Sequence, residues 1–371
     1  MAPGEPFTFW LPSAKPSGDA TNDRVWITFY PARTTQQNPD GKGAPVAILL
    51  HYLGSANNAE LREYAGYLAR RGIAAAVMTQ PYHMERLSHG DDPYKHYVAA
   101  DSRIVAQAFD QSASDVSTLV TWLTQQPGVD KTRIAAAGLS LGAIVTHIAM
   151  GRDERIGAGV AMLGGGNLLD VFQTGILTKL FVHGRAAEPT EQDRARLRTV
   201  DPLYTADKNR PNGGPRRVLM VEGARDLVIP PRDAEELWRA LGKPPIQWID
   251  TNHVALRFAA GSVMKTATAY LESVWICEPF DVYDIPRVKV PTIKVGLISG
   301  LGSYITPAVQ LQALRLGTRH HMALGHLDVG LTGRGFFGGA AVTVSQFVDV
   351  GIGRRLGSPD YKPYASFHLV F

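Results

Sequence analysis

What this sequence lacks narrows it before any motif is weighed. It has one cysteine, Cys277, among 371 residues, which excludes an intrachain disulfide framework and a cysteine-based zinc site. A lone thiol of this kind is expected to be a small buried hydrophobe. The opening, MAPGEPFTFWLPSAKPSGDA, has neither a basic start nor an apolar stretch of signal-peptide length, so no export signal is expected in it. No run is long and apolar enough for a membrane-spanning helix. The net charge is only +4, and the basic clusters at 194–198 and 215–217 are short; they read as solvated surface, and no nucleic-acid partner is expected. What remains is a composition of 45% hydrophobic and 19% charged residues, ordinary for a folded protein, at a length that favours one large domain and a smaller one.

The chain is organised around residues 133–150, RIAAAGLSLGAIVTHIAM. Residues 134–137 are a short apolar run of the kind found in a strand covered on both faces, and from Leu141 onward the spacing turns helical. Ser140 sits at the joint, framed by Gly138 and Gly142, in the GxSxG pattern of a nucleophile elbow. Such a turn holds the hydroxyl out at the carboxyl edge of a sheet, with a helix N-terminus beneath it. Over residues 24–276 the sequence resembles the α/β-hydrolase superfamily. The HYLGS loop, the PYHMER segment and the GLSLG elbow look most like its dienelactone hydrolase and prolyl oligopeptidase-like esterase branch.

Buried strands are expected at 45–50, 73–78, 157–163, 217–221 and 246–249, with an antiparallel edge from 7–11 and 24–30. Helices are expected at 60–71, 97–126, 233–241 and 254–275. The first strand runs into His51, Tyr52 and Leu53. In the hydrolases it resembles, this loop supplies the second oxyanion-hole amide. Tyr52 stands where glycine is usual, so the donor is a backbone amide of Tyr52 or Leu53, or the Tyr52 hydroxyl, against the alternative of an aromatic packed under the loop. His51, Tyr82 and His83 are expected to wall the pocket, His83 through a structural hydrogen bond to Glu85 or Arg86. Residues 167–201 interrupt the alternation and read as a cap that sets specificity.

Asp226 has Gly223 before it and Pro230 after it, the GxxDxxxP spacing of the family's acid loop. His253 follows the last core strand. The order Ser140, Asp226, His253 is the one expected for an α/β-hydrolase triad, each just beyond a strand. His253 would be the base, Asp226 would fix its tautomer, and the Leu141 amide would face the oxyanion. Asp250 is the nearest rival acid but reads as a turn or capping residue, and His147 as a packed histidine. The chemistry implied is hydrolysis of a small carboxylic ester through an acyl-enzyme, with no metal and no organic cofactor. A peptidase or acyltransferase of the same fold, or an inert hydrolase fold serving a binding tail, are the rivals.

Beyond Glu278 there is no further glutamate or tryptophan, and residues 283–371 hold nine Lys and Arg against four Asp. Apolar residues alternate with small or polar ones, as in Val342, Val344, Val348, Val350 and Ile352. This predicts an antiparallel β-meander of about five strands, at 288–298, 308–316, 322–331, 342–352 and 364–371, too few for a closed monomeric barrel, so that the tail needs partners or further chain, or is instead a soluble β-domain packed on the hydrolase. The ending Phe367, Leu369, Phe371 resembles the closing strand of bacterial outer-membrane barrels. The expectation is therefore an α/β-hydrolase domain at 1–278 and an antiparallel β-domain at 283–371 serving outer-membrane association or oligomerisation. A periplasmic or outer-membrane location goes with that tail, a cytoplasmic one without it.

Overall fold

The computed structural model describes residues 4–33, 43–175, 188–278, 280, 292–319, 322–345 and 347–370. The chain divides into two compact units: residues 1–221, 228–247 and 264–285 form the first, and 222–227, 248–263 and 286–371 the second.

The first unit is built on a mostly parallel sheet. β1 (Phe7–Pro12) and β2 (Arg24–Tyr30) form the antiparallel edge, followed by β3 (Ala44–Leu50), β4 (Ala74–Met78), β5 (Val129–Leu139), β6 (Ile156–Met162), β7 (Val218–Gly223) and β8 (Ile246–Ile249). The eight strands lie in the order β1-β2-β4-β3-β5-β6-β7-β8. β4, β3, β5, β6 and β7 pair in parallel. Their uninterrupted apolar sequences follow from burial on both faces: every residue of β4 and β7 is buried. Among the described residues the helices are α1 (Ala59–Arg70), α2 (Tyr94–Tyr97), α3 (Ser102–Leu123), α4 (Leu141–Arg152), α5 (Leu168–Thr174), α6 (Glu191–Arg198), α7 (Pro231–Ala240) and α8 (Ala260–Trp275). Residues 141–151 of α4 are all buried, as an all-round apolar helix must be.

Several expectations are corrected in detail. The helix anticipated over 97–126 is broken, because Asp101 caps α3 by accepting from the Arg103 amide in an extended conformation. Residues 255–259 form a 3-10 turn ahead of α8. Cys277 is exposed, not buried, just past the end of α8 with φ 57°. Residues 176–187 of the anticipated cap lie outside the described residues, as do 288–291 and Phe371 of the anticipated tail strands.

The tail is a closed barrel rather than an open meander. Its strands are β9 (Thr292–Gly300), β10 (Ser303–Arg319), β11 (Met322–Thr332), β12 (Gly335–Ser345), β13 (Val348–Arg355) and β14 (Lys362–Val370). All pairings are antiparallel, and β14 returns to β9. The sixth strand arises because 342–352 is not one strand: Val342 and Val344 belong to β12, and Val348, Val350 and Ile352 to β13. The interior is charged. Lys294 Nζ lies 2.7 Å from Asp349 Oδ2, 3.1 Å from Asp328 Oδ1 and 2.7 Å from His326 Nε2, with all four side chains buried. His326, Asp328 and Asp349 are arranged as metal ligands would be, and the Lys294 ammonium supplies the cation among them. Burial alone would raise the Asp349 carboxyl, but His326 and Lys294 hold it well below the usual range.

Removing one partner of such a cluster leaves an uncompensated buried charge. Lys294→Met is expected to cost the barrel about 3–5 kcal/mol, read as a lowered urea midpoint by circular dichroism. Adding Asp349→Asn should recover much of the loss; no recovery would mean that the charge cluster is not the cause.

Candidate active site

Ser140 joins β5 directly to α4. Its backbone takes φ 55° and ψ −112°, a conformation that costs a non-glycine residue of order 1–3 kcal/mol and persists only where the surroundings enforce it. The enforcement is visible: the Ser140 amide donates to the Met162 carbonyl at 2.8 Å, and its own carbonyl accepts from Ala143 and Ile144. Glycine is required on both sides. A Cβ at Gly138 would run into the Gly142 carbonyl, and one at Gly142 into the Leu50 carbonyl. Leu141 opens α4, so its N–H is among the first-turn amides that have no acceptor within the helix, at the positive end of the helix dipole.

Ser140 and Leu141 line a cavity of about 50 Å³, space for three or four water-sized groups. Its other walls are Leu53, Tyr97, Val98, Phe109, Ile144, Leu168, Val171, Phe172, Gly175, Val228 and Ile229. None of these carries a charge. His51, Tyr82 and His83 are not among them. Tyr82 stacks on His96 with ring centroids 3.5 Å apart.

His51 and His83 lie buried beneath the loop after β3. His51 Nδ1 is 2.9 Å from the Tyr52 carbonyl, and His51 Nε2 accepts from the Gln80 amide at 3.0 Å. His83 Nδ1 is 2.8 Å from the Pro81 carbonyl, and His83 Nε2 accepts from the Gly54 amide at 3.0 Å. His83 therefore braces the loop itself instead of bonding Glu85 or Arg86. The partners assign the tautomer: each ring donates from Nδ1 to a carbonyl and accepts at Nε2, which is possible only for neutral imidazole. Burial agrees, lowering His51 to about 3 and His83 to about 4. The loop so held carries Leu53 into the cavity wall, while Tyr52 is 37% exposed and so is not packed beneath it.

In the second unit, His253 Nδ1 lies 2.6 Å from Asp226 Oδ2, with Asp226 buried. The two loops are laced together by backbone bonds, Ala224 N–H to the Ile249 carbonyl at 2.8 Å and Arg225 N–H to the Thr251 carbonyl at 2.9 Å. Arg225 Nε adds a buried ion pair to Asp250 at 2.6 Å. Asp250 is thus a brace between the acid and histidine loops, not a turn or capping residue. Asn252 accepts from the Val254 and Ala255 amides and donates to the Val370 carbonyl of β14. His147 is buried within α4, and desolvation lowers it to about 3.

A sheet of this order, with a strained serine at the turn after β5 and acid and histidine loops after β7 and β8, defines an α/β-hydrolase fold. The prolyl oligopeptidase family model matches residues 102–254, a span that includes Ser140, Asp226 and His253. No curated protein matches the sequence significantly. Among solved structures, the acylaminoacyl peptidase of Pyrococcus horikoshii is similar at 16% identity and TM-score 0.56, over 76% of this chain and 44% of that one. A puromycin-hydrolyzing peptidase of Mycobacterium tuberculosis is similar at 20% identity and TM-score 0.55, over 75% and 40%. A puromycin hydrolase gives 17% identity and TM-score 0.54, over 77% and 41%. At these identities the likeness is one of fold, and the chain spans less than half the length of these three proteins.

Proposed function

We propose that the protein is a serine hydrolase that transfers an acyl group from an uncharged, apolar substrate to water. The observation that carries this is the strained Ser140, held in the wall of an apolar cavity at the N-terminus of α4. In the proposed cycle Ser140 Oγ attacks the substrate carbonyl while His253 Nε2 takes its proton, and Asp226 holds Nδ1–H and stabilises the imidazolium. The Leu141 amide and an amide of the Tyr52–Leu53 turn receive the oxyanion. His253 then passes the proton to the leaving group, and water attacks the acyl-enzyme by the same steps in reverse order.

The match to the prolyl oligopeptidase family supports a peptide or other amide bond as the target. The small uncharged cavity supports a short apolar group at the acyl position, and carboxylic esters of short acids are cleaved by the same steps. The test is fluorophosphonate labelling of the full-length protein beside turnover of short-chain p-nitrophenyl esters and of leucyl and phenylalanyl p-nitroanilides. Ser140→Ala is expected to abolish labelling and to lower turnover by roughly 10⁴–10⁶-fold. A folded wild-type protein that neither labels nor cleaves any member of either panel overturns the proposal.

A further inference from the structure

The barrel of the second unit has the reverse of a water-soluble polarity. Val295, Leu311, Val329, Val342, Ile352 and Phe367, one from each strand, point outward and are 44–59% exposed. Lys294, Gln310, Asp328, Thr343, Asp349 and His368, again one from each strand, are buried. The alternation survives even where β10 is irregular: a register shift between Gln312 and Leu314 lets Leu311 and Leu314 both face outward. Scattered apolar surface residues need no explanation, but an apolar wall continuous around a closed structure does.

Three observations select what covers it. First, the barrel is closed, so no strand edge is open to an added strand. The apolar residues lie on all six strands, whereas a single docked partner covers one flank and leaves the opposite one in water. Second, the strands are 8–17 residues long, around the roughly 9–11 residues that a tilted strand needs to cross a hydrocarbon layer. The internal ammonium meets the carboxylates of Asp328 and Asp349, and His326 lies 3.2 Å from both, so each buried charge has a partner of opposite sign within the barrel. Third, the end formed by the β11–β12 turn and the β13–β14 loop carries exposed Arg334, Arg354 and Lys362. There the Arg354 guanidinium lies 5.5 Å from the Tyr361 ring. A basic, aromatic rim beside an apolar belt is complementary to anionic headgroups.

We propose that the outer wall of this barrel faces lipid, and that the barrel spans the hydrocarbon layer of a bilayer with its basic rim among anionic headgroups. The proposal is independent of the hydrolase chemistry.

The test is flotation of the full-length protein, diluted from detergent, with vesicles of phosphatidylcholine and phosphatidylglycerol, followed by an alkaline carbonate wash. Wild-type protein is expected to float and to resist the wash. Val329→Arg combined with Val350→Arg sets charge into the wall and is expected to reduce the washed, floated fraction at least tenfold, while Val329→Ala leaves it unchanged. All six tryptophans precede residue 276, so their fluorescence reports folding of the remainder of the chain separately from the barrel. Three results overturn the proposal: wild-type protein that is monodisperse without detergent and stays at the bottom of the gradient, binding that carbonate removes, or a defined oligomer whose size vesicles do not change. The last would assign the wall to further copies of this chain.

Discussion

Asp226→Asn is expected to leave the protein folded and to lower kcat by roughly 10⁴-fold, the loss that the same change causes in serine proteases of another fold. The reason is one proton. Asp226 accepts from His253 Nδ1 across 2.6 Å, which puts the ring's lone pair on Nε2, the atom that takes the serine proton in the proposed cycle. An asparagine turns an N–H toward Nδ1 and favours the tautomer protonated at Nε2, where no proton can be received. The brace between the loops does not depend on Asp226, since Arg225 pairs with Asp250. Steady-state kinetics at neutral pH, beside unchanged tryptophan fluorescence, checks the outcome; a loss of less than tenfold would remove Asp226 from the proposed triad.

Acid is expected to destabilise the first unit before its carboxylates titrate in the ordinary range. His51, His83 and His147 are lowered to about 3, 4 and 3 by burial, against an unfolded value of 6.5. A depressed histidine contributes stability that is fully present above pH 6.5 and is lost as pH falls toward the folded value. Between pH 7 and 4.5 the three together lose about 7 kcal/mol by linkage. Asp233 moves the other way, because burial and the neighbouring Asp170 raise it to about 8; over the same window it returns about 3 kcal/mol. The loss of about 4 kcal/mol from these four groups is a large part of a typical domain's stability. Urea midpoints followed by tryptophan fluorescence should fall steeply over this range. His147→Leu should flatten the fall by more than half; an equally steep fall in that variant would remove His147 from the account.

The strand–serine–helix element was legible because its constraints are local: two glycines, an apolar run and a helical period lie within one short segment. The acid and histidine loops were legible as positions after strands, but their lacing was not, since Arg225 and Asp250 stand 25 residues apart. The same distance effect hid the role of His83, whose partner is the Gly54 amide, 29 residues away. The missed strand in the tail has a different cause. Val342, Val344, Val350 and Ile352 all face outward on even positions, so the alternation passes through the turn between β12 and β13 without changing phase. No glycine or proline stands between Thr343 and Val350 to mark that turn. Once the turn is there, six strands suffice for closure.

Closure also sets the order in which the barrel is made. Every hairpin from β9 to β13 joins chain neighbours, whereas the seam pairs Val295 with Leu369, across nearly the whole tail. Loop-closure entropy places such a contact late in folding. Until the nine residues of β14 arrive, the preceding five strands form a sheet with two unpaired edges and an apolar face. That half-made sheet is an adhesive species on the folding path, and a nascent chain carries it until β14 has been made.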